Sequence, residues 1–116
     1  MTKIYRAIFW AALLFALVMA LVPQPPQLPG DPSDKVQHVI AFATLALLGA
    51  VAYPSMSLLL LLAGLSALGG FIELLQAIPS LNRDSDPIDW LADTIAAAMV
   101  LAAIHCWRTG KRRGNR

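Results

Sequence analysis

Apolar residues are collected into four long runs along the 116-residue chain, and charged residues are scarce within each run. The first run covers 4–22, and the stretch 39–72 that follows contains no charged residue, which is too long for one membrane crossing. The turn Tyr53-Pro54-Ser55 divides this stretch, because proline interrupts a helix. The pattern therefore predicts an all-α integral membrane protein. The four predicted helices cover about 4–22, 36–52, 57–78 and 87–107.

Composition excludes an ordinary soluble domain. The chain is 58% hydrophobic and only 14% charged, whereas about a quarter of the residues in soluble domains are charged. The first run resembles a signal peptide, but Pro23 follows it directly and no A-x-A site is present, so we predict a retained helix. We predict one transmembrane domain over 1–116. Cys106 is the only cysteine, so no internal disulfide is expected.

Acidic and basic residues lie in different parts of the chain. The acidic residues gather before the second helix and around the junction of the third and fourth: Asp31, Asp34, Glu73, Asp84, Asp86, Asp89 and Asp93. Most basic residues lie at the two ends: Lys3, Arg6, Arg108, Lys111, Arg112, Arg113 and Arg116. Lys/Arg excess marks cytoplasmic segments, so we predict an antiparallel four-helix bundle with both termini cytoplasmic. The basic tail is expected to touch anionic lipid headgroups, and nucleic acid is not predicted as a partner.

Helix starts and close contacts can also be predicted. The segments 31–34 and 86–89 both have the pattern D-P-x-D, which is typical of a helix start with an Asp cap and a first-turn proline. Trp90 and Trp107 should lie near opposite membrane interfaces. Small residues four apart predict close helix packing. These pairs are Ala46/Ala50, Ser66/Gly70 and Ala98/Ala102.

Several polar residues lie where a membrane helix should be apolar. Glu73 is predicted about 5 Å below the outer edge of a ~30 Å hydrocarbon core, and His38 and Asp93 lie at similar depth. Ionisable residues inside a membrane are site candidates by default. Lys35 and Arg83 are the only cations on that side, so they are the natural partners of the acids. The candidate ligand-binding residues are Lys35, His38, Glu73, Gln76, Arg83, Asp89 and Asp93.

Other interpretations of these residues stay open. They could form a hydrogen-bonded clasp that holds three helices together, since structural ion-pair networks also gather perturbed groups. His38, Glu73, Asp89 and Asp93 are acceptable metal ligands, but no metal-binding signature accompanies them, so neither a metal nor another cofactor is predicted. Serine-based hydrolysis is disfavoured because no nucleophile elbow is present.

These same residues resemble the VanZ-like family of small membrane proteins. The resemblance is carried by Asp34-Lys35 with His38 and Phe42, by Glu73-x-x-Gln76, and by Arg83-x-x-Asp86-x-x-Asp89-x-x-x-Asp93. It extends from about Asp34 to Val100. The resemblance implies a cell-envelope protein of the bacterial cytoplasmic (inner) membrane. The family's founding member is associated with low-level resistance to the glycopeptide teicoplanin, which gives a context but no reaction.

Three functions are compatible with this pattern. The first, which we favour, is a binding protein whose outer polar site takes a lipid headgroup or a lipid-linked envelope precursor, with Arg83 and Lys35 contacting phosphate or carboxylate. The second is a membrane enzyme that acts on such a lipid, with His38 or Glu73 as general acid/base. The third is a proton-coupled carrier, which would require a homodimer because four helices are few for a carrier.

Overall fold

The computed structural model describes residues 2–22, 33–81 and 86–114, with the backbone alone at 33–35 and 81. The described residues form four α-helices and one short 3₁₀ turn and contain no strand, which confirms the all-helical prediction. The helices are α1 (Thr2–Leu21), α2 (Ser33–Ala52), α3 (Leu58–Gln76) and α4 (Pro87–Gly114), with the 3₁₀ turn at Pro79–Leu81 between the last two.

The helices have the length and composition of membrane spans. Among the described residues, α1, α3 and α4 are long and apolar enough to cross a membrane. The apolar part of α2, Val36–Ala52, is shorter. Side chains on these helices remain exposed although they are large and apolar, for example Phe15, Leu59 and Met99. In water such surfaces would be costly, so they indicate a membrane protein.

The helix boundaries follow local capping chemistry. Ser57 caps α3, because its hydroxyl accepts a hydrogen bond from the Leu60 amide at 3.4 Å. At the start of α4, Asp86 Oδ1 accepts from the Ile88 amide at 3.0 Å, and Pro87 is the first helical residue. The D-P-x-D prediction is thus confirmed for α4. Its counterpart, 31–34, lies partly outside the described residues.

The fourth helix is longer than the sequence pattern indicates. We predict an end near Trp107, where the apolar run stops, but α4 continues to Gly114. Charged residues do not end a helix, and Lys111, Arg112 and Arg113 are favourable in a last turn because they face the negative end of the helix dipole. With 28 residues α4 is about 42 Å long, which exceeds the thickness of a ~30 Å hydrocarbon core.

The helices pack through small and aliphatic residues, with α2 in contact mainly with α1 and α4. Ala46 and Ala50 of α2 are buried, as the small-residue spacing predicts. The corresponding prediction for α4 is wrong, because Ala102 is exposed. The buried face of α4 instead contains Asp93, Ala97 and Leu101, which are four residues apart.

Aromatic and hydroxyl groups join α3 to α4. The Trp90 indole N–H donates to the Ser66 carbonyl at 2.9 Å, and its ring packs over Gly69, where an added Cβ would lie 3.3 Å from Trp90 Cδ1. The hydroxyls of Ser66 and Thr94 lie 3.1 Å apart. Since Thr94 donates to the Trp90 carbonyl, Ser66 is the donor to Thr94. Trp90, which the sequence predicts at a membrane interface, therefore also holds two helices together.

Two arginines complete the last turn of α2. Arg6 Nε donates to the Ala52 carbonyl and an Arg108 Nη donates to the Ala50 carbonyl, both at 3.1 Å. These carbonyls lack partners within the helix, and the guanidinium charge faces the negative end of its dipole. Arg6 also stacks on the ring of Tyr53 at 4.6 Å. We call this region the basic end.

Candidate functional site

The polar residues predicted inside the helices lie at the other end of the molecule. We call this region the polar end and define it by His38, Glu73, Gln76, Asp86, Asp89 and Asp93. His38 is near the start of α2, Glu73 and Gln76 are in the last turn of α3, and the aspartates belong to the start of α4. Gln76, Asp93 and Glu73 are 2%, 3% and 8% exposed, so the last turn of α3 and the second turn of α4 bury polar groups.

His38 and Asp93 form a pair between α2 and α4. His38 Nδ1 lies 3.8 Å from Asp93 Oδ2, and the two side chains are 12% and 4% exposed. This distance permits a charge interaction when the imidazole is protonated but is longer than a hydrogen bond. The other Asp93 oxygen, Oδ1, is buried and has no hydrogen-bond partner among the described residues. A buried carboxylate oxygen in this state is costly.

Glu73 connects the end of α3 to the start of α4. Its Oε2 accepts a hydrogen bond from the backbone N–H of Asp86 at 2.9 Å. Amide groups at a helix start lack partners within the helix and carry partial positive charge, so a carboxylate there is favourable. This contact gives Glu73 a structural role that its charge alone did not reveal. Asp89, in the first turn of α4, is partly buried.

Gln76 connects α3 to α1. Its Nε2 donates to the carbonyl of Ala20 at 2.9 Å. Ala20 is in the last turn of α1, where carbonyl groups have no partner within the helix. Gln76 is predicted as a ligand-binding residue from its spacing to Glu73. The structure places it in a helix-to-helix contact, for which the sequence of α1 gives no signal.

An apolar groove lies beside the polar end, between α1, α2 and α3. Its volume is about 330 Å³, which is within the range of small-molecule sites. His38 and Gln37 supply its polar wall, whereas the rest is hydrocarbon. The pattern of residues along the chain does not predict this groove. Its lining residues are Phe15, Ala16, Leu17, Met19, Ala20, Gln37, His38, Ala41, Phe42, Leu45, Leu68 and Ile72.

The two predicted cations lie outside the described residues. This holds for the whole of Arg83 and for the side chain of Lys35. Their predicted contacts with the acids and with a ligand stay predictions. Within the described part of the chain, no three His, Cys, Asp or Glu side chains are grouped so that they could hold a metal ion.

The arrangement is suited to recognition and to proton transfer. No Ser, Thr or Cys lines the groove as described. A carboxylate beside an imidazole nitrogen can orient the ring. His38 could therefore donate or accept a proton at the groove wall, or bind a charged headgroup there.

Comparison with known proteins gives no assignment. No family model matches the chain, and neither a curated protein nor a solved structure matches it.

Proposed function

We propose that this chain is a four-span protein of the bacterial cytoplasmic membrane that binds a lipid headgroup or a lipid-linked envelope precursor at its polar end. In this proposal α2 also crosses the membrane, the helices form an antiparallel bundle, and both termini are cytoplasmic. The cell-envelope context and the link to teicoplanin-type resistance come from the resemblance to VanZ-like proteins.

Contacts between helix ends support the antiparallel arrangement. Arg6, near the start of α1, contacts Ala52 at the end of α2. Gln76, at the end of α3, contacts Ala20 at the end of α1. Helices α1 and α3 therefore run in the same direction, as alternate helices of an antiparallel bundle do. In the proposed orientation the basic end faces the cytoplasm, because Lys/Arg excess marks cytoplasmic segments.

One observation carries the binding proposal, namely that His38, which pairs with Asp93, lies in the wall of the groove. A purely structural clasp accounts for Glu73 and Gln76, since each connects a neighbouring helix. It does not account for Asp93 Oδ1, which is buried without a partner among the described residues, or for His38 lining a groove. A buried polar group without a partner requires an explanation, and a functional role is one such explanation.

The proposal can be tested by native mass spectrometry of the protein extracted together with its own lipids. The wild type is expected to retain one headgroup class selectively. His38→Gln should lose this selectivity, because the amide cannot carry the imidazole's charge. His105→Gln is the matched control, since His105 is exposed and lies far along α4 from the polar end. Arg83→Ala tests the predicted phosphate contact in the same experiment. Equal selectivity in the wild type and His38→Gln would refute the headgroup site.

A membrane enzyme is the second candidate, favoured by the carboxylate beside the His38 imidazole. In this case His38 is the general acid/base, and Asp93 orients it. Glu73 is the weaker candidate, because its Oε2 already accepts the Asp86 amide. Glu73→Gln keeps an acceptor for that amide, so it should leave thermal stability in detergent near that of the wild type. Loss of the envelope phenotype in Glu73→Gln would assign Glu73 a chemical role, and a full phenotype would leave it structural.

A further inference from the structure

We infer that the groove between α1, α2 and α3 holds one acyl chain of a membrane phospholipid whose headgroup lies at the polar end. This inference rests on the proposed function and deepens it, because it assigns the apolar part of the ligand to a separate set of residues.

The polarity of the groove matches that of an amphiphile. One end has Gln37 and His38 in its wall, and the walls beyond are hydrocarbon as far as Leu45. The seven-residue step from His38 to Leu45 corresponds to about 10 Å along α2. A ligand with a polar group at one end and an apolar chain extending from it places each part against a surface of its own kind.

The surroundings of the groove identify the occupant. Phe15 and Met19 line the groove and are 67% and 51% exposed. They belong to α1, which is apolar and long enough to span a membrane. In a bilayer these exposed side chains face phospholipid chains, which are present there at far higher concentration than any other apolar ligand. Mass action therefore favours a phospholipid chain in the groove.

The groove can be filled by substitution without touching the polar end. Ala16 on α1 and Ala41 on α2 both line it. Ala16→Leu and Ala41→Leu, made separately, place new methyl groups where the chain would lie. Ala63→Leu and Ala67→Leu are matched controls, because both residues are exposed on α3 and neither lines the groove.

The experiment uses delipidated full-length protein and vesicles of equal parts phosphatidylethanolamine, phosphatidylglycerol and a polyprenyl phosphate. Native mass spectrometry then counts the retained lipids, and circular dichroism checks the fold of each variant. The wild type and the controls should retain one phospholipid per chain. Each groove variant should bind the phospholipid about tenfold more weakly when the lipid is titrated, since losing two buried methylene contacts changes a dissociation constant by about that factor.

Each contrary outcome overturns a defined part of the inference. Unchanged phospholipid retention in the folded groove variants refutes the assignment of an acyl chain to the groove. This holds even when His38→Gln loses headgroup selectivity and the proposed function stands. Retention of the polyprenyl phosphate alone, or a dimer mass that disappears in the groove variants, assigns the groove to another occupant. If the groove variants lose retention but His38→Gln keeps its headgroup selectivity, the acyl-chain assignment stands and the headgroup site is refuted. Should one groove variant fail to fold, the other decides.

Discussion

Gln76 should stabilise the fold by holding the end of α1. It is 2% exposed and donates a 2.9 Å hydrogen bond to Ala20, whose carbonyl has no partner within α1. Gln76→Leu keeps most of the side-chain volume but removes the donor. The net loss of such a bond is about 1 kcal/mol, and bonds between membrane helices average about 0.6 kcal/mol. We therefore expect Gln76→Leu to lower the free energy of unfolding by about 1 kcal/mol.

Gln76→Glu should cost more and should depend on pH. An ionised carboxylate is only an acceptor, so it cannot bond to the Ala20 carbonyl, and burying it without a partner costs about 3 kcal/mol. A protonated carboxyl group has one O–H donor and can replace the amide N–H. Protonation of the introduced group therefore restores the bond. The stability of Gln76→Glu relative to the wild type should rise as the pH falls.

Equilibrium unfolding in mixed micelles, followed by helicity across a range of pH, measures both effects. Gln37→Leu and Gln37→Glu are the controls, because Gln37 is exposed on α2. Both should change stability by less than about 0.5 kcal/mol, and Gln37→Glu should show no gain at low pH. The reasoning fails if Gln76→Leu is as stable as the wild type, or if the Gln76→Glu deficit is independent of pH.

Three further predictions concern helix contacts and orientation. Trp90→Phe removes the indole donor to α3 and should lower the free energy of unfolding by about 1 kcal/mol. Trp107→Phe, at an exposed ring, should not, and equal effects of the two substitutions would contradict the role of Trp90 in holding α3 to α4. Arg108→Ala removes a donor to the last turn of α2 and should cost about 1 kcal/mol, with Arg112→Ala in the exposed tail as the control in the same unfolding assay. A topology reporter inserted at Ser55 should read as cytoplasmic and reporters at Pro29 and Asn82 as external, and a reversed result would overturn the proposed orientation.

Much of the helical organisation could be predicted because its causes are local. The turn at Tyr53-Pro54-Ser55 and the cap at Asp86 follow from the backbone preferences of Pro and the hydrogen bonding of Asp. The end of α4 was harder to predict, because the apolar run stops near Trp107 while the helix continues to Gly114. Hydrophobicity marks where a helix lies in a membrane, but it does not mark where its hydrogen bonding ends.

The candidate site was predictable in its residue types but not in its connections. Charge in an apolar helix is visible in the sequence, so His38, Glu73 and Asp93 could be selected. The separate contacts of Glu73 and His38 could not be predicted, because they depend on how far each helix is rotated about its own axis. A rotation of one residue, about 100°, would move Asp93 away from α2.

The sequence alone determined that this is an all-helical chain with segments long and apolar enough to span a membrane, and with polar residues grouped near two helix junctions. Those properties depend on composition and on neighbours along the chain. Only the tertiary structure decided that Gln76 holds Ala20, 56 residues away, and that His38 lies both beside Asp93 and at the wall of a groove. A groove exists only where surfaces from separate helices meet, and its shape depends on their packing as much as on the residues that line it.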